Sequence, residues 1–348
     1  SLAYAFYAVD MNSEAKVVVS RNSIKLEINT KEKLAYIRET NEGKVSDYTS
    51  TLNLYVSSLD LARDLANAFE CAVDTSEQSI IKFADNSDIR PWLSENISQV
   101  ELGEETISQQ MAVQEDAENQ LTIDIETKKT DGESSASTYI LYPEDLSLEK
   151  LAIKVSGKRL YVLLHTEKGK YIKRLENDQV QNFVSDTEVL FYDPLVAKNF
   201  MSAIRTLHLN SLVEDRSEMP VEEAMAFLLE SVQNVNIPDE QFEQSLEFSD
   251  EDKCRVTFTR VETDSKGIGT EYRYEFALSD LHAPSAKYTI KGASVIINLV
   301  TEGGEKLIKP YKHSEAGNFV DDFSIYADDV LQAKKILGAF AALSEACK

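Results

Sequence analysis

The side chains in this 348-residue sequence best suited to metal ligation or nucleophilic attack are four histidines and three cysteines: His165, His208, His282, His313, Cys71, Cys254 and Cys347. Their spacing supports neither chemistry. No histidine pair follows H-E-x-x-H, and no cysteines form the C-x-x-C pairs of a zinc site. An odd, sparse set of cysteines reads as free thiols, buried or terminal, rather than as a disulfide framework. Carboxylate clusters at Glu115-Asp116, Asp250-Glu251-Asp252, Asp321-Asp322 and Asp328-Asp329 offer oxygen ligands. None has the D-x-[DN]-x-[DN]-G loop of a calcium site, so solvated turns and helix caps account for them. A nucleophile elbow, a Walker loop and a dinucleotide fingerprint are also missing; Gly267-Ile268-Gly269 and Gly303-Gly304 suit hairpin turns instead. The expectation is a protein that is not an enzyme, with no catalytic residue, cofactor or metal.

Charge narrows the partners. With 60 acidic and 36 basic residues the net charge is -24, which disfavours nucleic acid, whose binding depends on Lys and Arg displacing counterions. It also disfavours anionic membrane surfaces. No apolar run reaches the roughly 20 residues a transmembrane helix needs, and residues 1–7 lack the basic start and long apolar core of a signal peptide. The 43% hydrophobic content suits a folded chain, and its length suits more than one core.

The strongest organising signal is internal. Asp10-Met11, Asp145-Leu146 and Asp280-Leu281 are spaced by 145-10 = 135 and 280-145 = 135 residues. At that offset Tyr4 matches Tyr139 and Tyr274, and Phe6 matches Leu141 and Phe276. Asn22, Gly157 and Gly292 also align and suggest a shared left-handed turn. Ala62-Arg63, Ala197-Lys198 and Ala333-Lys334 align near the end of each segment, and His165 aligns with Val300. The sequence therefore reads as a partial repeat unit at 1–74, lacking its first hairpin, and full units at 75–211 and 212–348.

Each full unit opens with a short helix, as in 219–233, where Ala224, Phe227, Leu228 and Val232 share a face. Alternating strands follow at Leu121-Ile123-Ile125 and Val256-Phe258, then a hairpin return, two strands hinged at Gly157 or Gly292, and further short strands. An amphipathic helix closes the unit; Val330, Ala333, Ile336, Leu337 and Phe340 form its apolar face, with Asp328 or Asp329 as cap. The expected class is α+β, predominantly β: tandem antiparallel barrels or sheets, each closed by a C-terminal helix. The truncated first unit should expose a strand edge, which residues upstream or another part of the chain are expected to occupy.

Seven short strands followed by one helix resemble the pleckstrin-homology-like barrel over residues 105–210 and 240–348. The aromatic strand, Asp and Ala-Lys-rich helix that close each unit are also similar to repeat proteins from Bacteroidetes. The first resemblance implies a phosphoinositide site on the loop joining the first two strands. Those loops read Glu115-Asp116-Ala117-Glu118-Asn119 and Asp250-Glu251-Asp252-Lys253, so phosphoinositide binding is unlikely on charge alone. The leading expectation is a non-catalytic tandem-repeat binding or scaffold protein that contacts a protein or peptide. Strand aromatics such as Tyr171 and Tyr311 are the candidate contacts, although strand aromatics more often pack inward. A carrier of an apolar molecule or lipid within a barrel pocket is the alternative, and an enzyme the third.

Overall fold

The computed structural model describes residues 2–76, 80–114, 119–211, 219–237 and 240–348. The acidic loop at 115–118 lies outside the described residues. The chain divides into two compact units, unit 1 with residues 1–137, 143–167 and 186–211, and unit 2 with residues 138–142, 168–185 and 212–348.

The N-terminal segment contains β1 (Leu2–Ala5), β2 (Lys16–Ser20), β3 (Ser23–Asn29), β4 (Ile37–Asn41), β5 (Lys44–Thr49), β6 (Thr51–Val56) and helix α1 (Leu59–Asp74). The middle segment contains α2 (Asn86–Asn96), β7 (Val100–Leu102), β8 (Glu105–Val113), β9 (Leu121–Lys129), β10 (Ser134–Leu141), β11 (Ala152–Ser156), β12 (Arg159–His165), β13 (Ile172–Glu176), β14 (Gln179–Val184), β15 (Asp186–Phe191) and α3 (Pro194–Ser211). The last segment contains α4 (Val221–Ser231), β16 (Val235–Ile237), β17 (Glu240–Phe248), β18 (Arg255–Thr263), β19 (Gly269–Ala277), β20 (Lys287–Lys291), β21 (Ser294–Val300), β22 (Lys309–Lys312), β23 (Glu315–Ala316), β24 (Asp322–Ala327) and α5 (Val330–Ala346). The fold is α+β and mostly strand, in antiparallel sheets.

The same pairings recur at corresponding positions. The last segment has a six-stranded sheet ordered β16-β17-β18-β19-β22-β23 beside a three-stranded sheet β20-β21-β24. The middle segment has the order β7-β8-β9-β10-β13-β14 beside β11-β12-β15; the first half of β10 belongs to unit 1 and the second half to unit 2. The N-terminal segment keeps β1-β4-β5 and β2-β3-β6. Three isolated bridges, Met11 to Thr30, Leu146 to Thr166 and Leu281 to Thr301, mark the same corner in each segment. The turn alignment shifts by one residue. Ser20 pairs with Ser23, Ser156 with Arg159 and Lys291 with Ser294, so Arg21, not Asn22, stands where Gly157 and Gly292 stand. Gly157 and Gly292 have φ of 57° and 62°.

Among the described residues the strands form antiparallel sheets, none of them closed into a barrel. A buried glutamine bridges the two sheets of each full segment. In unit 1 the Gln109 side chain on β8 donates to the Leu190 carbonyl (3.0 Å) and accepts from the Leu190 N–H (2.8 Å) on β15. In unit 2 Gln244 on β17 does the same with Tyr326 on β24, at 2.9 and 2.8 Å. A carboxamide carries one donor face and one acceptor face, so it stands in for a strand partner at the edge of the smaller sheet. Nine strands, two more than the alternation suggests, complete each full segment.

β1 is the edge of its sheet, and among the described residues no strand pairs with its other side. The N-terminal segment also leaves core positions bare. Leu54, Val189 and Ile325 share one register position, opposite Leu26, Val162 and Ile297. Leu54 is 38% exposed, whereas Val189 and Ile325 are fully buried. Leu65, seventh residue of α1, is exposed, whereas Phe200 and Ile336 at that place in α3 and α5 are buried.

The expectation of free thiols fails for two cysteines. Cys254, at the turn into β18, and Cys347, at the C-cap of α5, form a disulfide with Cα atoms 5.7 Å apart across a separation of 93 residues. Packing of α5 into the unit 2 core, where Val330, Ala333, Ile336, Phe340 and Leu343 are all buried, brings its end to that turn. Cys71 is free and exposed.

Two stability measurements follow from these links. Gln244→Met keeps the bulk but orphans the Tyr326 N–H and C=O, at about 1–3 kcal/mol for each buried group. Urea unfolding should show a lower midpoint, and Tyr326 amide exchange should accelerate. Reduction, or Cys254→Ser with Cys347→Ser, removes a cross-link that chain entropy values at about 4–5 kcal/mol; the thermal midpoint should fall, with Cys71→Ser unchanged.

Candidate interaction surface

Within unit 1, the half-sheet β1-β4-β5 meets the strand-to-helix corner between β15 and α3. Asp193 caps α3 by accepting from the Leu195 N–H (2.8 Å), and its other oxygen accepts from the Tyr7 hydroxyl (2.7 Å). Arg38 on β4 and Tyr48 on β5 are cross-strand neighbours. Both donate to the Tyr192 carbonyl, at 3.2 and 2.9 Å. Lys198, one turn into the helix, pairs with the buried Asp10 and stands 5.1 Å from the Tyr36 ring centre. A basic residue, aromatic rings and a phenol thus surround an acid-capped helix start, where the helix dipole also favours negative charge.

Unit 2 contains a joint built from corresponding residues. Tyr142 donates to Asp329 (2.8 Å), which caps α5 by accepting from the Gln332 N–H (2.8 Å). Lys173 on β13 takes the place of Arg38 and pairs with Asp328 at 3.2 Å. Phe183, opposite Lys173 on β14, takes the place of Tyr48 and enters the unit 2 core. Tyr171 corresponds to Tyr36 and packs 5.8 Å from Tyr288, ring centre to ring centre.

The last segment presents the same face a third time. Lys309 on β22 corresponds to Arg38 and Lys173, since it pairs with Glu275 of β19 as they pair with Ala5 and Ile140. Phe319 corresponds to Tyr48 and Phe183, one residue before Val320, which bridges Ile308. Tyr48 and Phe183 are 5% and 2% exposed, but Phe319 is 48% exposed and Leu307, at the Tyr171 position, is 40% exposed. The Lys309 ammonium sits 4.6 Å from the Phe319 ring centre. These residues line a cleft of about 500 Å³ with Phe248, Val256, Arg255 and Phe276.

No family model matches the chain, and no curated protein matches it.

Tyr171 and Tyr311 do not occupy corresponding positions. Tyr171 is half-buried in the unit 2 joint. Tyr311 is half-buried on β22, donates to Glu275 (3.1 Å) and lies under the Arg273 guanidinium at 4.1 Å. The histidines stay apart: His208 contacts the Pro143 carbonyl at 2.8 Å, and His282 contacts Ser285 at 2.6 Å. Among the described residues no group of three or more His, Cys, Asp or Glu side chains is placed to hold a metal, and no helix is long and apolar enough to cross a membrane. The sequence repeat aligns Phe183-Val184 with Phe319-Val320 but does not mark Lys309 or Phe319 as contacts. The signal that finds them is register: a cation and an aromatic facing each other across two strands in all three segments.

Burial, with the hydrogen bond to Asp193 as second cause, pushes the Tyr7 hydroxyl up to about 12, and burial also raises Tyr48. A phenol whose folded value exceeds its unfolded value near 10 stabilises the joint fully below about pH 10. That contribution is lost as pH rises through about 12. Unit 1 should therefore weaken between those limits in urea titrations, and Tyr7→Phe should lower stability at neutral pH while flattening that alkaline loss.

Proposed function

We propose that the chain is a non-catalytic tandem-repeat binding or scaffold protein that acts through polypeptide contacts. The observation that carries this reading is the Lys309–Phe319 face: its aromatic position is buried at the strand-to-helix corner in unit 1 and in unit 2, as Tyr48 and Phe183, and stands open here as Phe319. Large apolar side chains held at a cleft beside a cation are the composition of a protein interface. The correspondence of Tyr7 with Tyr142 and of Arg38 with Lys173, each on an equivalent helix corner, supports tandem repetition.

In the finer reading of the fold, each full segment is a pleckstrin-homology-like barrel split into two sheets, with the glutamine bridge at its seam. Asp250, Glu251 and Asp252 at the β17–β18 turn disfavour a phosphoinositide there. The Cys254–Cys347 bond suits an oxidising compartment. A carrier role finds less support: a second cleft, of about 600 Å³ in unit 1, is lined largely by Ser94, Ser98, Gln99, Gln110 and Asp124, a polar wall unsuited to an apolar guest.

A photo-crosslinking residue at position 319, with one at Tyr55 (72% exposed) as control, tests the reading. Irradiation in native extract should give a discrete protein adduct at 319 only. Equal labelling at both sites, or a stoichiometric lipid extracted from the purified chain, would overturn it.

A further inference from the structure

We infer that the Lys309–Phe319 face docks a strand that turns into a helix capped by Asp or Glu, supplied by a polypeptide segment outside residues 1–348. The inference rests on the binding reading above and specifies the partner. Its template is inside the chain. At both occupied faces the occupant is the end of a strand followed at once by a carboxylate cap: Tyr192-Asp193-Pro194 in unit 1 and Asp328-Asp329-Val330 in unit 2. In unit 2 the cation of the receiving face contacts the acidic pair directly, Lys173 to Asp328 at 3.2 Å. In unit 1 Arg38 contacts the backbone one residue before the cap.

Lys309 holds that position on the open face. Its ammonium is oriented by the Gly317 carbonyl (3.0 Å) and by Phe319. Glu275, its register neighbour, is engaged by Arg273 at 3.4 Å and by the Tyr311 hydroxyl. Arg255, 3.9 Å from Asp252, and Glu247 also line the wall. Ala277 stands where Tyr7 and Tyr142 stand, so this face has no phenol at the place that binds the cap elsewhere. As in the Lys173–Asp328 pair, the acid that Lys309 meets is on the residue before the cap, and the partner's aromatic or aliphatic flank rests on Phe319 and Leu307.

A second copy of this chain does not fit the requirement. Its corners at Asp193 and Asp329 are already engaged by Tyr7 and Tyr142. The remaining corner, before α1, is capped by Ser58 and has Ser57 before the cap; its first acid, Asp60, lies inside the helix.

The probe is a labelled peptide of residues 322–341, stapled between positions 337 and 341 so that its helix is preformed, titrated into the full chain by fluorescence polarisation. Saturable binding is expected, with loss on Phe319→Asp, a surface change that leaves the core untouched. Lys309→Glu should weaken binding by about tenfold or more, as should Asp328→Asn in the peptide. Combining Lys309→Glu with Asp328→Lys in the peptide should restore it. The inference is overturned if the stapled peptide fails to saturate below ~1 mM, or if its binding is indifferent to both Phe319 and Lys309. It is also overturned by Phe319-dependent self-association of the chain. A position-319 adduct with a protein lacking such a corner would end this inference and leave the broader binding reading standing.

Discussion

The carboxamides of Gln109 and Gln244 each bridge two sheets that, among the described residues, no backbone ladder joins. Each makes a paired hydrogen bond to one strand residue, Leu190 or Tyr326, at the edge of the smaller sheet. The geometry tolerates little variation, because a buried peptide group without a partner is costly. Once the seam is set, β15 and β24 are fixed against the larger sheets, and the helices that follow them must start where those strands end. The helix caps, Asp193 and Asp329, therefore arrive at defined places.

Those caps carry the next level of organisation. Each is satisfied twice, by its own helix backbone and by a phenol from the preceding half-sheet. The contact is directional: one face offers a cation and an aromatic ring, the other an acid-capped corner. A joint between unlike faces can be extended, whereas a two-fold symmetric one closes on itself. The acidic excess of the sequence takes on a more specific meaning here, since part of it is the recurring cap that the basic strand position receives.

Much of this was legible in the sequence. The Asp10, Asp145 and Asp280 spacing located the recurring corner, and the alternation in Val256–Thr259 and the apolar face from Val330 to Phe340 located strands and helices because burial there is one-sided. β8 and β17 were harder to see. Their inward positions include Gln109 and Gln244, and a polar residue at a buried position breaks the pattern on which strand recognition relies; only the equal offset, 244-109 = 135, signals them. The disulfide was hidden for another reason. Separation along the chain says nothing of proximity when a helix returns its end to a distant turn, as α5 does. The open face was invisible because exposure of Phe319 against burial of Phe183 is a property of neighbours, not of residue type.

The Cys254–Cys347 bond also sets how force would travel. A pull on the C-terminal end reaches Cys347 and passes through sulfur to the turn before β18, bypassing α5 and every strand from β18 to β24. The 93-residue interval cannot lengthen while the bond is intact. Tension would instead load β17 and its ladder to β18, and with them the strand that carries Gln244. Residues 254–347 are thereby mechanically a closed ring whose tether enters at the turn between β17 and β18.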